Sequence, residues 1–253
     1  MRVAVAGGTG VVGQHVVRVL NELGHTPVVL ARSAGVDLVT GAGLAAALTG
    51  AGAVIDVATI RTRSAEKSES FFRAVTTHLL REGLAAGVSH YVALSIVGID
   101  RVPLGYYAEK VLQEALIAQG ALPWTVLRAS QFHEFSAQIY EELKVGPVVV
   151  IPRMKTQPVA AREVGVRLVE LALAPAAARV VDLAGPQEEE LVAMVRSYAR
   201  VVRAPGTVLG VPLPGALGRA MRNGTLLPGV GTMLGEQTFA EWLQLTKGPP
   251  PPI

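Results

Sequence analysis

A glycine-rich turn near the start of the chain constrains its fold more than any other feature. A strand-like segment, Arg2 to Ala6, runs directly into the sequence Gly7-Gly8-Thr9-Gly10-Val11-Val12-Gly13, which opens a predicted helix. Its G-x-G-x-x-G spacing falls on Gly8, Gly10 and Gly13. Glycines at this spacing permit a tight turn, the approach of a pyrophosphate to the bare main chain, and close packing of helix on strand. The motif therefore predicts a βαβ unit that holds a dinucleotide at the helix N-terminus.

Strand-like and helix-like segments alternate through the first half of the chain, an order typical of a parallel sheet covered on both faces. The predicted strands are Arg2 to Ala6, Pro27 to Ala31, Val36 to Leu38, Ala53 to Val57, His90 to Ser95 and Trp124 to Arg128. The predicted helices are Val11 to Leu23, Ala65 to Ala86 and Gly105 to Gln119, each followed by a glycine. We expect an α/β fold with a doubly wound parallel sheet of the Rossmann type.

The second half of the chain has shorter elements. The predicted helices are Gln131 to Leu143, Arg162 to Leu173, about Gln187 to Val202, and Gln237 to Leu245, and the predicted strands are Val148 to Ile151 and Arg179 to Leu183. Residues 204–235 are rich in Pro, Gly, Leu and Val, which indicates either a loop packed on the core or a mobile cover over an apolar pocket. We predict one NAD(P)-binding domain over residues 1–253, in which residues from about 131 to 253 form a smaller substrate-binding region and a candidate lid.

Composition excludes several classes of function. The chain has 253 residues, half of them apolar, which suffices for one large core. Without cysteine it has no disulfide or thiolate site, and its five histidines lack the spacing of a zinc helix, so we expect no metal. The 23 basic and 20 acidic residues form no basic run, which argues against a nucleic-acid partner. Glycines interrupt the uncharged stretch Leu38 to Ile55, and no signal-peptide pattern is evident, so we expect a cytoplasmic protein without a membrane span.

The residue that follows the second predicted strand bears on the choice of cofactor. In NAD-binding proteins an acidic residue at this place, about 20 residues after the glycines, binds the adenosine ribose. Here the sequence has Arg32 followed by Ser33. A guanidinium suits a 2′-phosphate by charge and by bidentate geometry, so we predict NADP(H). The alternative interpretation is a solvated arginine at a strand end.

Three polar residues suggest carbonyl chemistry. Tyr106 and Lys110 are four residues apart on a predicted helix and therefore share a face. Because a free tyrosine has a pKa near 10, the Lys110 charge is expected to lower the pKa of Tyr106 and so make it an acid–base group. Ser95 ends a predicted strand, where it is placed to polarise a substrate carbonyl. The alternative interpretation of Tyr106 is a helix-start aromatic that packs on the core.

These residues together resemble the short-chain dehydrogenase/reductase superfamily, and within it the atypical NmrA-like branch. The resemblance includes the glycine pattern, Arg32, Asp37, Ser95 and the Tyr106/Lys110 pair, together with the segment from Pro123 to His133. It implies a Rossmann fold with a small C-terminal substrate region, NADP(H) binding, and hydride transfer to a carbonyl or quinone. By the same resemblance, Asp37 contacts adenine, Ala58 lines the nicotinamide path, and Tyr106 donates a proton. The short spacing between Ser95 and Tyr106 departs from the superfamily pattern.

The predicted site therefore has three parts. The catalytic residues are Tyr106, Lys110 and Ser95; the cofactor-binding residues are Gly7, Thr9, Gly10, Val11, Val12, Gly13, Arg32, Ser33, Asp37, Ala58 and Lys110; and the substrate residues are Phe132 and His133. A capping or surface role is the alternative for His133, and the apolar stripe Phe71, Phe72, Val75, Leu79 and Leu80 indicates either core or a homodimer face.

The leading interpretation is an NADP(H)-dependent oxidoreductase acting on a small apolar carbonyl or quinone. The alternatives are a non-catalytic NADP(H)-sensing regulator with a protein partner, and a nucleotide-sugar epimerase or dehydratase.

Overall fold

The computed structural model describes residues 1–62 and 64–246 of the chain. Its strands are β1 Arg2–Ala6, β2 Thr26–Leu30, β3 Ala53–Asp56, β4 His90–Ile96, β5 Trp124–Ala129, β6 Lys144–Val145, β7 Val148–Pro152, β8 Lys155–Thr156, β9 Arg179–Ala184, β10 Glu189–Glu190, β11 Thr207–Val211 and β12 Met233–Leu234. Its helices are α1 Val11–Glu22, α2 Leu44–Leu48, α3 Ala65–Ala85, α4 Tyr106–Gln119, α5 Phe135–Glu142, α6 Ala161–Leu173, α7 Leu191–Val201, α8 Gly215–Asn223 and α9 Phe239–Leu245.

The main sheet confirms the predicted fold class. Seven strands lie in the order β12-β9-β5-β4-β3-β1-β2, and the pairs of β1 with β2 and β3, and of β3 with β4, are parallel. All four residues of β3, and Val3 to Ala6 of β1, are buried. Strands that are apolar on both faces are typical of a parallel sheet covered by helices on each side. The fold is therefore Rossmann-like, with the carboxyl ends of β1 and β3 at one edge of the sheet.

The chain divides into two compact units, and the first contains most of the main sheet. It comprises Met1–Ile96, Pro103–Arg128 and Arg162–Val181. Its core includes Leu30, Val54, Val75, Leu79 and Tyr91. The predicted apolar stripe on α3 lies mainly in this core, since Phe72, Val75 and Leu79 are at most 1% exposed.

The second unit comprises Val97–Val102, Ala129–Ala161 and Asp182–Ile253. It holds a three-stranded sheet in the order β11-β7-β6, a two-stranded sheet of β10 and β8, and the helices α5, α7, α8 and α9. Tyr140 of α5 and Tyr198 of α7 are fully buried, with ring centroids 6.2 Å apart. These two aromatic rings join α5 to α7 in the core of the unit.

Several segments differ from the sequence prediction. The helix predicted over about Gln187 to Val202 begins only at Leu191, because Glu189 and Glu190 pair with β8, and the helix predicted over Gln131 to Leu143 begins at Phe135. Val36 to Leu38 was predicted as a strand, which is wrong: Asp37 Oδ1 accepts hydrogen bonds from the backbone N–H groups of Val39 at 2.8 Å and Thr40 at 3.2 Å, closing a turn. Residues 204–235 are not a plain loop, because they contain β11, α8 and β12. Within residues 1–62 and 64–246, no helix has both the length and the apolar character needed to cross a membrane.

Candidate active site

In the glycine turn between β1 and α1, backbone segments pack so closely that two of the glycines have no room for a side chain. Gly7 has φ +78°, and its carbonyl accepts a hydrogen bond from Gly10 N at 3.0 Å. A Cβ on Gly13 would lie 2.1 Å from the Gly7 carbonyl oxygen, and one on Gly7 would lie 2.7 Å from the carbonyl oxygen of Val57. Side chains are therefore excluded at both positions, as a turn that admits a phosphate to the main chain requires.

No side chain of the first turn of α1 carries a negative charge that would compete with a bound anion at the helix N-terminus. Gly10, at the N-cap, supplies no side-chain hydrogen bond, and the first turn of the helix has no acidic residue. The side chain of Gln14 donates to the Thr9 carbonyl at 2.9 Å and so steadies the turn. The unpaired N–H groups and the positive end of the helix dipole suit an anion. These residues fit the diphosphate of a dinucleotide.

The charged residues after β2 are exposed. Arg32 and Ser33 lie in a 3-10 turn, Arg32–Ala34, and neither side chain has a hydrogen bond or ion pair within the described residues. The Asp37 carboxylate, by contrast, accepts the backbone hydrogen bonds that close its own turn. The structure therefore leaves the Arg32 guanidinium available to a ligand.

Tyr106 begins α4 and stands beside the glycine turn. Its hydroxyl is 3.1 Å from the Thr59 hydroxyl. Thr59 follows Val57 and Ala58, and the Val57 N–H donates to the Ala6 carbonyl at 3.0 Å, at the end of β1. The Tyr106 side chain is partly exposed, at 41%, and its hydroxyl lies at the carboxyl edge of the sheet in the same unit as the glycines.

The expected lowering of the Tyr106 pKa by Lys110 is wrong for this structure. Although the residue as a whole is partly exposed, desolvation around its hydroxyl raises the pKa of Tyr106; the Thr59 hydrogen bond opposes that shift and the Glu109 carboxylate adds to it. Lys110 donates instead to the carbonyl of Leu94 at 2.7 Å and to the side-chain oxygen of Gln113. Both Tyr106 and Lys110 contact the Phe72 ring, so they do share one face of α4.

Lys110 is a buried amine, 5% exposed. Desolvation lowers the pKa of Lys110 to about 8, and the charges of Asp56 and Glu114 oppose that shift. Two of its three donors are used, by Leu94 and Gln113, and its Nζ also lies 4.9 Å from the centre of the Phe72 ring.

Ser95 is buried near the end of β4, and its hydroxyl has no hydrogen-bond partner within the described residues. Buried hydroxyls are nearly always paired, and the hydroxyls of Thr76 and Tyr198, outside the predicted site, are unpaired in the same way.

A buried polar network around Asp56 was missed by sequence reasoning. Asp56 Oδ2 accepts from the Tyr91 hydroxyl at 2.6 Å and from the Gln113 amide at 3.0 Å, and its Oδ1 accepts from Ala58 N at 3.0 Å. Burial raises the pKa of Asp56, while these hydrogen bonds and the Lys110 charge oppose the shift. Asp56 thus joins the backbone beside the glycine turn to the amide that holds Lys110. Two sequence signals could have indicated this network: an acidic residue inside an apolar strand, and a glutamine three residues after Lys110 on the same helix face.

The two predicted substrate residues lie in the second unit. His133 is fully buried, so the surface alternative is wrong: its Nε2 lies 3.0 Å from the carbonyl oxygen of Gln237, and its ring contacts Phe239 and Trp242. Phe132 pairs with Val159 in an isolated bridge. His133 thus packs against α9.

Solved structures with a similar fold cover nearly the whole chain. The UDP-glucose 4-epimerase of Thermotoga maritima has a TM-score of 0.72 and 16% identity over 97% of each chain. The NADPH-dependent quinone oxidoreductase QOR2 of Escherichia coli, in complex with NADPH, has a TM-score of 0.65 and 18% identity, covering 96% of this chain and 99% of its own. A short-chain dehydrogenase/reductase superfamily protein from Agrobacterium tumefaciens, with bound NAD, has a TM-score of 0.66 and 17% identity over 97% of this chain and 95% of its own.

The chain thus has the fold of the short-chain dehydrogenase/reductase superfamily, which confirms the resemblance at the level of the fold. Among curated proteins it is similar to the Photosystem II assembly factor Ycf39 of Synechocystis sp., with 31% identity over 194 residues, covering 68% of this chain and 59% of that protein. The chain therefore spans less than two thirds of that relative's length. No protein-family model matches it.

Proposed function

We propose that this protein is an NADP(H)-dependent oxidoreductase of the NmrA-like branch that passes hydride to a small apolar carbonyl or quinone. The observation that carries the proposal is that the glycine turn and the Tyr106 hydroxyl lie at the same edge of the main sheet. The glycine turn fits a dinucleotide diphosphate, and Thr59, which contacts the Tyr106 hydroxyl, is two residues from the Val57 carbonyl against which Gly7 packs. The nicotinamide of the bound cofactor would supply the hydride.

The preference for NADP(H) rests on Arg32. Its guanidinium is exposed after β2 and unpaired within the described residues, and no acid stands beside it to bind a ribose diol. An arginine at this place suits a 2′-phosphate and offers NAD(H) no equivalent contact. The fold itself accommodates both cofactors, since the similar structures carry NAD in one case and NADPH in another.

Each polar group of the site has a distinct part in the proposed reaction. Tyr106, whose raised pKa keeps it protonated at neutral pH, donates the proton from its hydroxyl to the substrate oxygen. The third N–H of Lys110 would bind a ribose hydroxyl of the cofactor, and the Ser95 hydroxyl would donate to the substrate oxygen. A quinone accepts hydride readily and draws its protons from water, so it depends least on Tyr106.

The second candidate function is a non-catalytic sensor of the NADP(H) redox state that binds a protein partner. One observation favours it: Lys110 donates to Leu94 and Gln113, and the pKa of Tyr106 is raised, so the tyrosine is not activated as a base. The similar Synechocystis protein carries the name of an assembly factor, which suits such a part.

Nucleotide binding tests the proposal first. We expect the purified chain to enhance NADPH fluorescence on titration and to bind NADH at least about tenfold more weakly, a difference of about 1.4 kcal/mol. Arg32→Ala should abolish that preference by weakening NADPH alone. Arg73→Ala, which removes an exposed arginine of α3 paired with Glu69, is the matched control.

Turnover then separates the two candidates. An oxidoreductase oxidises NADPH with a quinone or an apolar aldehyde, whereas a sensor binds NADPH and NADP⁺ with different affinities and turns over neither. Failure to bind either nucleotide would refute both candidates.

A further inference from the structure

A surface cavity of about 390 Å³ in the second unit is lined by arginines. The residues around it come from α7, from the turn that follows and from β11: Arg196, Ala199, Arg200, Arg203, Ala204, Gly206 and Val208. None of them is acidic, and none belongs to the predicted cofactor or catalytic sets. The cavity thus offers three guanidinium groups around a floor of small and apolar residues.

The three arginines are arranged by the helix. Arg196 and Arg200 are four residues apart and share one face of α7, while Arg203 lies in the turn that follows the helix. Arg196 is fixed in place, because its Nε and Nη2 donate to the Val208 carbonyl at 3.3 Å and 3.1 Å. No ion pair within residues 1–62 and 64–246 involves Arg196, Arg200 or Arg203. Like charges at this spacing repel one another, and a bound anion would relieve that repulsion.

The surrounding sequence sustains a local positive field. From Leu191 to Gly235 the chain has five arginines and no Asp, Glu or Lys, although the formal charge of the whole chain is only +3. The segment therefore carries more positive charge than the whole chain, although the carboxylates of Glu188 to Glu190 directly precede it and that of Glu141 acts on Tyr198 of α7.

Stabilisation of the helix C-terminus does not account for the whole arrangement. A cation in the last turn of a helix is favourable, and Arg200 occupies that turn of α7. Arg196 lies earlier in the helix and is directed to β11, while Arg203 follows the helix with φ +52°, a conformation uncommon for a non-glycine residue. All three residues line the cavity, so helix capping explains only Arg200.

We propose that this cavity binds the phosphate group of a small soluble phosphorylated compound, at a site separate from the glycine turn. Guanidinium groups pair with phosphate oxygens through two parallel hydrogen bonds, and several of them together suit a dianion or a diphosphate. The volume lies within the range of small-molecule sites, which reaches down to about 300 Å³.

Calorimetric titration of the full chain with inorganic pyrophosphate tests the site. We expect saturable binding that weakens as salt is raised, and a loss of at least about tenfold in affinity in the double variant Arg200→Gln/Arg203→Gln. Both side chains are exposed, so the fold should tolerate the change, which thermal unfolding verifies. The control is a pair of single variants, Arg200→Gln and Arg219→Gln: the second removes the same charge from the same acid-free segment but from outside the cavity.

Each outcome decides the proposal. Selective loss in the double variant, a partial loss in Arg200→Gln and retention in Arg219→Gln would support it. Absence of binding, or equal effects of Arg200→Gln and Arg219→Gln, would overturn it. Vesicles containing phosphatidic acid form a second arm, and binding to vesicles without binding to pyrophosphate would assign the arginines to a lipid surface and would also overturn it. Because the readout requires neither NADPH nor turnover, failure of the proposed oxidoreductase function leaves this test intact.

Discussion

Individual residues set the chemistry of the site, and Lys110 is the residue whose burial matters most. An amine in this environment gives up hydration, which is why its pKa falls to about 8 although a carboxylate lies in the same network. The sequence placed Lys110 on the correct helix face, because four-residue spacing is a local property. It did not predict that Gln113 and Leu94 would take two of its donors, because those contacts depend on tertiary packing.

The lowered pKa predicts how stability depends on pH. Between about pH 8 and pH 10.5 the unfolded chain holds a proton on this lysine that the folded chain has released, so the free energy of unfolding should rise with pH across that window. Relative to Lys110→Met, the wild type should gain about 2 kcal/mol between pH 7.5 and pH 9.5. Urea unfolding at the two pH values measures the difference, and Lys67→Met, at an exposed lysine of α3, is the control. A wild-type advantage that stays constant with pH would show that the lysine titrates normally.

At the scale of elements, helix ends were predicted better than irregular segments. Glycine follows each of the three helices predicted in the first half of the chain, and the observed helices α1, α3 and α4 end within one residue of the predicted positions. The strand prediction for Val36 to Leu38 failed because the apolar residues on either side of Asp37 suggested a strand, whereas the Asp37 side chain closes a turn with the backbone. In residues 204–235, the high content of proline and glycine suggested a loop. The short elements found there make hydrogen bonds with distant parts of the chain, as in the pairing of β11 with β7, and such contacts are not visible in the local sequence.

The glycine turn gives a prediction at this scale. Gly13→Ala places a methyl group 2.1 Å from the Gly7 carbonyl oxygen, so α1 must move away from the turn that is to hold the diphosphate. We expect NADPH affinity to fall at least about tenfold and the melting temperature to drop. Gly229→Ala is the control, since Gly229 has no positive φ and a Cβ there meets only Arg101 Nη2, at the ordinary contact distance of 3.9 Å. Equal NADPH affinity in Gly13→Ala and wild type would place the nucleotide elsewhere.

For the whole molecule, the fold class could be predicted from the sequence, whereas the activity could not. Alternating strand and helix patterns with a glycine turn in the first βα connection leave few architectures other than a doubly wound sheet. Enzyme and sensor, however, share that fold and that turn, and they differ only in whether protons and hydride reach a substrate. The residues predicted for substrate and for cofactor divide between the two compact units.

Replacing Tyr106 by phenylalanine decides between these functions. The raised pKa keeps the Tyr106 hydroxyl protonated from pH 6 to pH 9, so wild-type reduction of an apolar aldehyde by NADPH should show no ionisation of this residue in that range. Tyr106→Phe should lower kcat at least about 100-fold with the aldehyde, because a positioned acid contributes roughly that much, while NADPH affinity stays unchanged. Tyr107→Phe, at the next tyrosine, whose pKa burial raises to about 12, should retain wild-type turnover. If Tyr106→Phe keeps full activity with every accepted substrate, solvent supplies the proton, as a quinone reductase permits. If the wild type itself turns over nothing while it distinguishes NADPH from NADP⁺, the protein is a sensor, and the tyrosine serves only to pack α4 against Phe72.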